Sequence, residues 1–245
     1  MKFTALVSLI LMSFFIVLAT APGSINAQEG KSKSSDEWKF AFELYLWGAS
    51  VGGETGDGSS ISVDFTDLIK KLNMAFMGAG AARKGKWSLL ADVIYLNVGD
   101  DATVVPGVKL DAKLKGLVVN SGVGYSLIDT EKGLLIALGG VRYLKEDISL
   151  SLGPLNDGKT GSNWDGIIGV KGLYNLTKNW YLWGYLDVGT GDSNVTYQGI
   201  GAIGYRFKWF DLNGGYRYLR WDFDKRDKIE DLYFYGPFAG IRFSF

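Results

Sequence analysis

Large apolar residues at every second position, repeated in segment after segment, constrain this chain more than any other feature. In Trp38-Lys39-Phe40-Ala41-Phe42-Glu43-Leu44-Tyr45-Leu46, residues 38, 40, 42, 44 and 46 are large and apolar, while Lys39 and Glu43 fall on the other face. A period of two is that of a β-strand with one apolar side. The pattern recurs at about 73 to 84, 87 to 99, 108 to 126, 134 to 146, 164 to 176, 180 to 189, 195 to 207, 210 to 222 and 231 to 245, which with the first makes ten strands. Over 108 to 126 the alternation slips: Leu110, Ala112 and Leu114 share one parity, and Leu117, Val119 and Val123 the other. A bulge near Lys115-Gly116 is expected to repair it.

The connections alternate in length. Arg83-Lys84-Gly85-Lys86, Thr177-Lys178-Asn179 and Lys208-Trp209 read as tight turns, whereas 50 to 72, 100 to 107, 147 to 163, 190 to 194 and 223 to 230 are mostly longer and rich in Gly and Asp. Tight turns at one end and longer loops at the other imply an all-β fold, a transmembrane antiparallel up-and-down β-barrel. Ten strands place both termini at the same end; eight or twelve would follow from a hairpin split or fused. Trp38, Trp87, Trp164, Trp180, Trp209, Tyr218, Trp221, Tyr233 and Tyr235 stand near strand ends, where two aromatic girdles are expected. The alternative, a soluble sandwich or lipocalin-like barrel, leaves Phe40, Phe42, Leu44, Tyr216 and Phe243 in water.

The chain begins as an exported one does. Met1-Lys2 is followed by an apolar run of 16 residues from Thr4 to Ala19, then Ala21-Pro22-Gly23 and a small-residue site at Ile25-Asn26-Ala27. Residues 1–27 are read as a signal peptide cleaved after Ala27, since the run falls short of the ~20 residues that span a bilayer as a helix. Ala19-Thr20-Ala21 is a poorer site because Pro22 follows it. Residues 28–37 are a polar, flexible lead-in, and 38–245 the barrel. With 47% hydrophobic residues and 4 prolines the chain is too apolar for disorder. Loss of Lys2 with the leader leaves a net charge of −1, which argues against nucleic acid as a partner. The absence of cysteine excludes both a lipoprotein anchor and disulfides.

One segment has a different period. Phe65, Leu68, Ile69 and Leu72 stand at i, i+3, i+4 and i+7 after Asp64, so 65 to 72 is expected to form a short amphipathic helix in the first outer loop. It reads either as a lid in the barrel mouth or as a turn that orders a long loop.

By alternation, Glu43, Arg83, Asp92, Arg142, Glu146, Asp165, Lys171, Asp187, Arg206, Asp211, Arg217 and Arg242 point inward. Charges this dense in a narrow lumen are either paired into a filling network or hydrated along a path. The network reading makes the barrel a structural or loop-presenting protein; the path reading makes it a narrow channel for small solutes or ions.

Other motifs fail on context. Gly199-Ile200-Gly201-Ala202-Ile203-Gly204 matches G-x-G-x-x-G, but period-two residues continue through Tyr205-Arg206-Phe207, so it is a glycine-rich strand and not a dinucleotide site. Asn175-Leu176-Thr177 and Asn194-Val195-Thr196 are turn residues that happen to match glycosylation sequons. Asp187 to Asp192 lacks the ligand spacing of a calcium loop. The chain has neither histidine nor cysteine, hence no Ser-His pair and no thiol nucleophile. The acidic pairs Asp100/Asp101 and Asp222/Asp224 read as solvated. No enzyme, no cofactor and no metal site is expected.

Gly240-Ile241-Arg242-Phe243-Ser244-Phe245 is an alternating strand ending in phenylalanine, and it resembles the C-terminal strand by which Gram-negative cells recognise outer-membrane β-barrels. Over 38 to 245 the chain is similar to that broad superfamily. Trp87 to Tyr95, Trp164-Asp165-Gly166-Ile167-Ile168-Gly169 and Tyr205-Arg206-Phe207 are similar to segments of uncharacterised proteobacterial porin-like proteins. The resemblance implies the bacterial outer membrane as location, with outer-membrane lipid, lipopolysaccharide and the barrel-assembly machinery as partners; Phe243 and Phe245 would be its assembly signal. It says nothing of oligomeric state. The barrel enzymes of this superfamily rest on histidine, which this chain lacks. The large trimeric porins are longer and carry an inward constriction loop, a departure that speaks against general diffusion.

Overall fold

A computed structural model describes residues 37–55, 58, 60–70, 72–105, 108–152, 155–223 and 229–245. Residues 1–36, on which the expected signal peptide and most of the expected lead-in fall, lie outside the described residues. The elements in chain order are β1 (Lys39–Trp47), β2 (Ser50–Thr55), β3 (Ser60–Val63), α1 (Phe65–Lys70), β4 (Leu72–Lys84), β5 (Trp87–Val105), β6 (Val108–Asp129), β7 (Gly133–Leu152), β8 (Leu155–Asn175), β9 (Trp180–Gly191), β10 (Val195–Arg206), β11 (Asp211–Asp222) and β12 (Ile229–Ser244).

β1 and β4 to β12 pair with their neighbours in sequence order, all antiparallel, and β12 pairs back onto β1 from Trp47 with Phe238 to Ala41 with Ser244. The result is a closed barrel of ten strands, which leaves no free edge in the wall. β2 carries on from β1 along the same neighbour, Ser50 opposite Tyr235 and Thr55 opposite Ile229, and β3 folds back on β2 as one extra strand. Between β1 and β2 the ladder is interrupted at Gly48-Ala49, where Gly48 N–H still donates to Pro237 O at 2.8 Å. Gly236 permits that approach, because a Cβ on it would overlap the carbonyl oxygen of Gly48.

The turns at one end follow from their residues. Gly85 adopts φ +58° in the two-residue turn closed by the Lys84 and Trp87 pair, a conformation that suits a hairpin between twisted strands. Thr177 Oγ1 accepts from the N–H groups of Asn179 and Trp180 and closes the β8 to β9 turn. Phe207 N–H donates to Phe210 O across Lys208-Trp209. β1 begins and β12 ends at this terminal end.

The far end departs from the sequence expectation. Stretches 100 to 107 and 147 to 163 were expected as loops, yet β5, β6, β7 and β8 run through the described parts of them and reach 19, 22, 20 and 21 residues, against 12 for each of β9 to β11. Their Gly- and Asp-rich composition looks like a loop because no lipid demands apolar residues there; backbone pairing continues without that demand. Leu72 is likewise the first residue of β4, opposite Val98, and not the last of a helical stripe. α1 spans six residues, its Phe65 N–H donating to Ser50 Oγ at 3.2 Å. The side chains of Leu68, Ile69 and Leu72 lie outside the described set.

The bulge expected near Lys115-Gly116 is absent. Lys115 pairs with Asn97 and Asp147, and Gly116 with Leu96 and Glu146, in unbroken register; the shifts fall at Thr103/Val105 and Ser126/Ile128. Lys109, Asp111, Lys113 and Lys115 instead hold the register positions continuous with the outward Val119 and Val123. The polar and apolar sets exchange parity because the outer face meets lipid along the wall and water beyond it.

That boundary is visible on β8. The outward positions Trp164, Gly166, Ile168, Val170, Gly172 and Tyr174 carry no charge, and Ile168 is 69% exposed. Ten residues of strand at ~3.4 Å each, tilted by ~40°, give roughly 26 Å between the two rings, the height of a hydrocarbon band. Tyr143 packs on Trp164 at 4.6 Å at the far end, while Trp87 on Tyr125 and Trp180 on Tyr205, at 5.0 and 4.9 Å, mark the terminal end. This is the architecture of an outer-membrane β-barrel. Trp221, expected in a girdle, is not there: it is on the inward parity of β11 and fully buried.

Candidate functional site

All twelve charged residues read as inward occupy positions of the inward parity on their strands, in register with the buried Asp92, Arg142, Asp187 and Arg217 set. The structure brings four of them together at mid-barrel. Arg142 of β7 donates through Nη2 to both carboxylate oxygens of Asp187 on β9, at 2.8 and 2.6 Å, through Nε to Asn120 Oδ1 on β6 at 2.7 Å, and through Nη1 to Thr196 Oγ1 on β10 at 2.7 Å. Both side chains of the Arg142 and Asp187 pair are 0% exposed.

The second cation completes a circuit. Arg217 of β11 donates to Gln198 Oε1 through Nε at 2.9 Å, to Tyr45 Oη at 2.8 Å and to Asp92 Oδ2 at 2.7 Å. Asn120 Nδ2 donates to the same Asp92 oxygen at 3.1 Å, and Tyr45 donates its hydroxyl to Asp92 Oδ1. Gln198 Nε2 reaches Asp187 at 3.4 Å. A ring of hydrogen bonds thus runs Asp92, Asn120, Arg142, Asp187, Gln198, Arg217 and back to Asp92, with two cations against two carboxylates. Each charge is held by an opposite charge and further hydrogen bonds, the condition under which buried ions are tolerated.

On the far side of the ring the interior is filled. Trp47, Met77, Ile94, Val118, Leu144, Leu219, Trp221 and Phe223 form one buried cluster. The Arg217 guanidinium lies 4.9 Å from the Trp47 ring and that of Arg142 lies 5.7 Å from Trp221, so the ring and the cluster are stacked on each other. Trp47 Nε1 donates to Gly236 O at 3.2 Å.

The remaining charges sit elsewhere along the wall. Asp165 accepts from Ser193 N–H and Oγ at 2.9 and 2.7 Å. At the terminal end Arg83 pairs with Asp129, Arg206 donates to Asn175 Oδ1 at 2.7 Å, and Tyr181 donates to Asp211 at 3.2 Å. Glu43, Lys171 and Arg242 line a cavity between these and the ring. Glu146 lies on β7 beyond Arg142. Phe243 is outward on β12, and Phe245 follows the last strand residue.

Sequence reasoning by charge alone passed over Tyr45, Asn120, Thr196 and Gln198, which bridge the ions, and the aromatic cluster above them. Parity was the available signal. Tyr45 alternates with Glu43, Gln198 with Arg206, and Trp221 with Arg217.

No family model matches the chain, and no curated protein matches it. Among solved structures it is similar to the outer membrane protease OmpT from Escherichia coli, with 12% identity, a TM-score of 0.49, and 89% of this chain and 99% of that one covered. It is similar to Ail, the attachment invasion locus protein of Yersinia pestis, solved in complex with a heparin analogue, with 12% identity, a TM-score of 0.43, and 85% and 98% covered. It is also similar to the translocator domain of the autotransporter NalP from Neisseria meningitidis, with 12% identity, a TM-score of 0.41, and 98% and 96% covered.

Proposed function

We propose that this protein is a closed outer-membrane β-barrel that serves the envelope as a structural and loop-presenting element, with neither catalytic turnover nor solute conduction. The observation that carries the reading is the ring in which Arg217 reaches Asp92 across the interior, backed by a cluster of large side chains. A conducting lumen needs a continuous water path. Here the guanidinium groups, their partners and two buried tryptophans occupy it.

What is presented outside is strand as well as loop. β5 to β8 continue well past the level of Tyr95, Tyr143 and Trp164 as two long hairpins. The outward band meets lipid, with lipopolysaccharide in the outer leaflet. Phe243 and Phe245 supply the terminal signature that the barrel-assembly machinery reads, after export and cleavage behind Ala27. The lack of histidine and cysteine supports the non-enzymatic reading.

The test is a planar-bilayer recording at high salt on residues 28–245, after heat-dependent gel mobility confirms a folded barrel. A silent bilayer is expected. Stable discrete current steps from the verified barrel would overturn the closed reading in favour of a narrow channel.

A further inference from the structure

Toward the terminal end, the interior below the ring changes character. Inward positions that hold Trp47, Trp221 and Phe223 on the far side give way to Ala41, Ala79 and Ala81, and the space left is a cavity of about 120 Å³ for water. Several waters fit such a volume. The ring and the cluster seal its far side, so access is from the terminal end.

Five charged side chains line this cavity: Asp92 and Arg217 are paired with each other in the ring, and the other three are Glu43 of β1, Lys171 of β8 and Arg242 of β12. Unlike the ring residues, none of the three makes a hydrogen bond or an ion pair among the described residues, although Glu43 and Arg242 are directly opposite in the β1 and β12 register. Lys171 Nζ lies 5.3 Å from the centre of the Trp183 ring. Nearby inward positions repeat the pattern: Asn213 and Ser88 are buried with side-chain polar atoms that have no hydrogen-bond partner. Charged and polar groups withdrawn from bulk water without partners are costly, and a site that keeps them is poised for a ligand that supplies the missing partners.

The charges state what kind. Beyond the ring's own ion pair, the lining holds two cations, Lys171 and Arg242, against one carboxylate, Glu43, so it carries an excess positive charge, with Asp211 outside it opposite Arg242 in register; its apolar walls are Trp183, Phe238, Ile200 and Leu138. An inorganic anion satisfies the cations but leaves the apolar walls uncovered; an uncharged hydrocarbon does the reverse. We propose that the cavity is a binding site for a small organic carboxylate with an apolar body, its carboxylate between Lys171 and Arg242 and its body against Trp183 and Phe238. Glu43 then opposes the bound carboxylate and tunes the site toward weak, reversible occupancy.

The test uses the folded barrel in nanodiscs and equilibrium dialysis of radiolabelled benzoate, with empty nanodiscs subtracted and benzyl alcohol as the uncharged comparator. The readout is binding, so it stands apart from any measurement of current. One saturable benzoate site is expected, with no matching site for benzyl alcohol. Lys171→Gln and Arg242→Gln each weaken it by tenfold or more, Ala81→Trp fills the cavity and removes it, and Glu43→Gln tightens it. Benzoate uptake no greater than in empty nanodiscs, equal binding of benzyl alcohol, or unchanged affinity in both cation variants overturns the proposal. Where a cation variant fails to fold, Glu43→Gln decides: tighter binding supports the site, unchanged or weaker binding overturns it.

Discussion

Arg217 of β11 donates to Asp92 of β5 at 2.7 Å, although three strands, β12, β1 and β4, lie between the two by the shorter way around the wall. One side chain therefore ties nearly opposite sides of the barrel together. Through Asn120 on one side and Gln198 on the other, the same contact joins the Arg142 and Asp187 pair, so the wall is cross-braced from within at mid-membrane depth.

The buried pair dominates the stability of this brace. Arg142→Met leaves Asp187 fully buried without its cation, held by the 3.4 Å contact from Gln198 and by the Tyr185 hydroxyl, and a cost of about 3–5 kcal/mol is expected for stranding such a charge. Arg142→Met combined with Asp187→Leu removes both ions and recovers most of that loss. Urea unfolding in lipid vesicles, followed by tryptophan fluorescence, measures both.

Closure of the lumen is shared between the ring and the aromatic cluster. Arg217→Ser alone should leave the bilayer silent, because Trp47 and Trp221 still fill the interior above it. Adding Trp47→Ala and Trp221→Ala opens the space, and discrete current steps are then expected in the triple variant. A silent triple variant with verified barrel mobility would place the block elsewhere.

Two glycines should respond in opposite ways to the same change. Gly122 and Gly140 are cross-strand partners, and a Cβ on Gly140 would overlap Ser121 O and approach Gly122 Cα at 2.7 Å. Gly201 has nothing within 4 Å of where its Cβ would lie. Gly140→Val is expected to abolish the heat-modifiable band, and Gly201→Val to leave it intact.

The outward band makes a depth-dependent prediction. Ile168 lies midway between Trp164 and Tyr174, where an arginine costs roughly 2–4 kcal/mol in lipid, while Leu176, in the terminal-end turn, should tolerate arginine at about 0–1 kcal/mol. Equal losses for Ile168→Arg and Leu176→Arg in vesicle unfolding would sink the membrane placement.

Deleting Phe245 separates signal from structure. β12 keeps its full pairing, with β1 through Ser244 and with β11 through Arg242, so refolding into vesicles in vitro should be unchanged. Assembly into the outer membrane of cells, followed by fractionation, should fall. Unchanged assembly would remove Phe245 from the recognition signal.

Strand identity and face were legible because they are local. Period two in residues such as 38 to 46 or 164 to 174 is imposed by the pleat, and lipid on one side turns it into a sequence pattern without reference to any partner strand. The same logic placed all twelve inward charges on the inward parity. It failed where the outside solvent changes: beyond the girdle the polar and apolar sets exchange parity, and the slip over 108 to 126 looks like a bulge when it marks the edge of the lipid. Trp221 was misplaced for a related reason. Aromatics near strand ends serve as girdle or as filling, and only parity relative to Arg217 separates the two.

The sequence by itself determined that this chain forms amphipathic strands joined by tight turns at one end, because those properties depend on neighbours two to four residues away. Which charges are paired was decided only by the tertiary structure. Arg217 and Asp92 are 125 residues apart in the chain, and their meeting depends on strand number, tilt and register together. The same register leaves Glu43, Lys171 and Arg242 around a cavity, outside the ring. No local pattern encodes that difference, since pairing inside a barrel is a property of the closed wall.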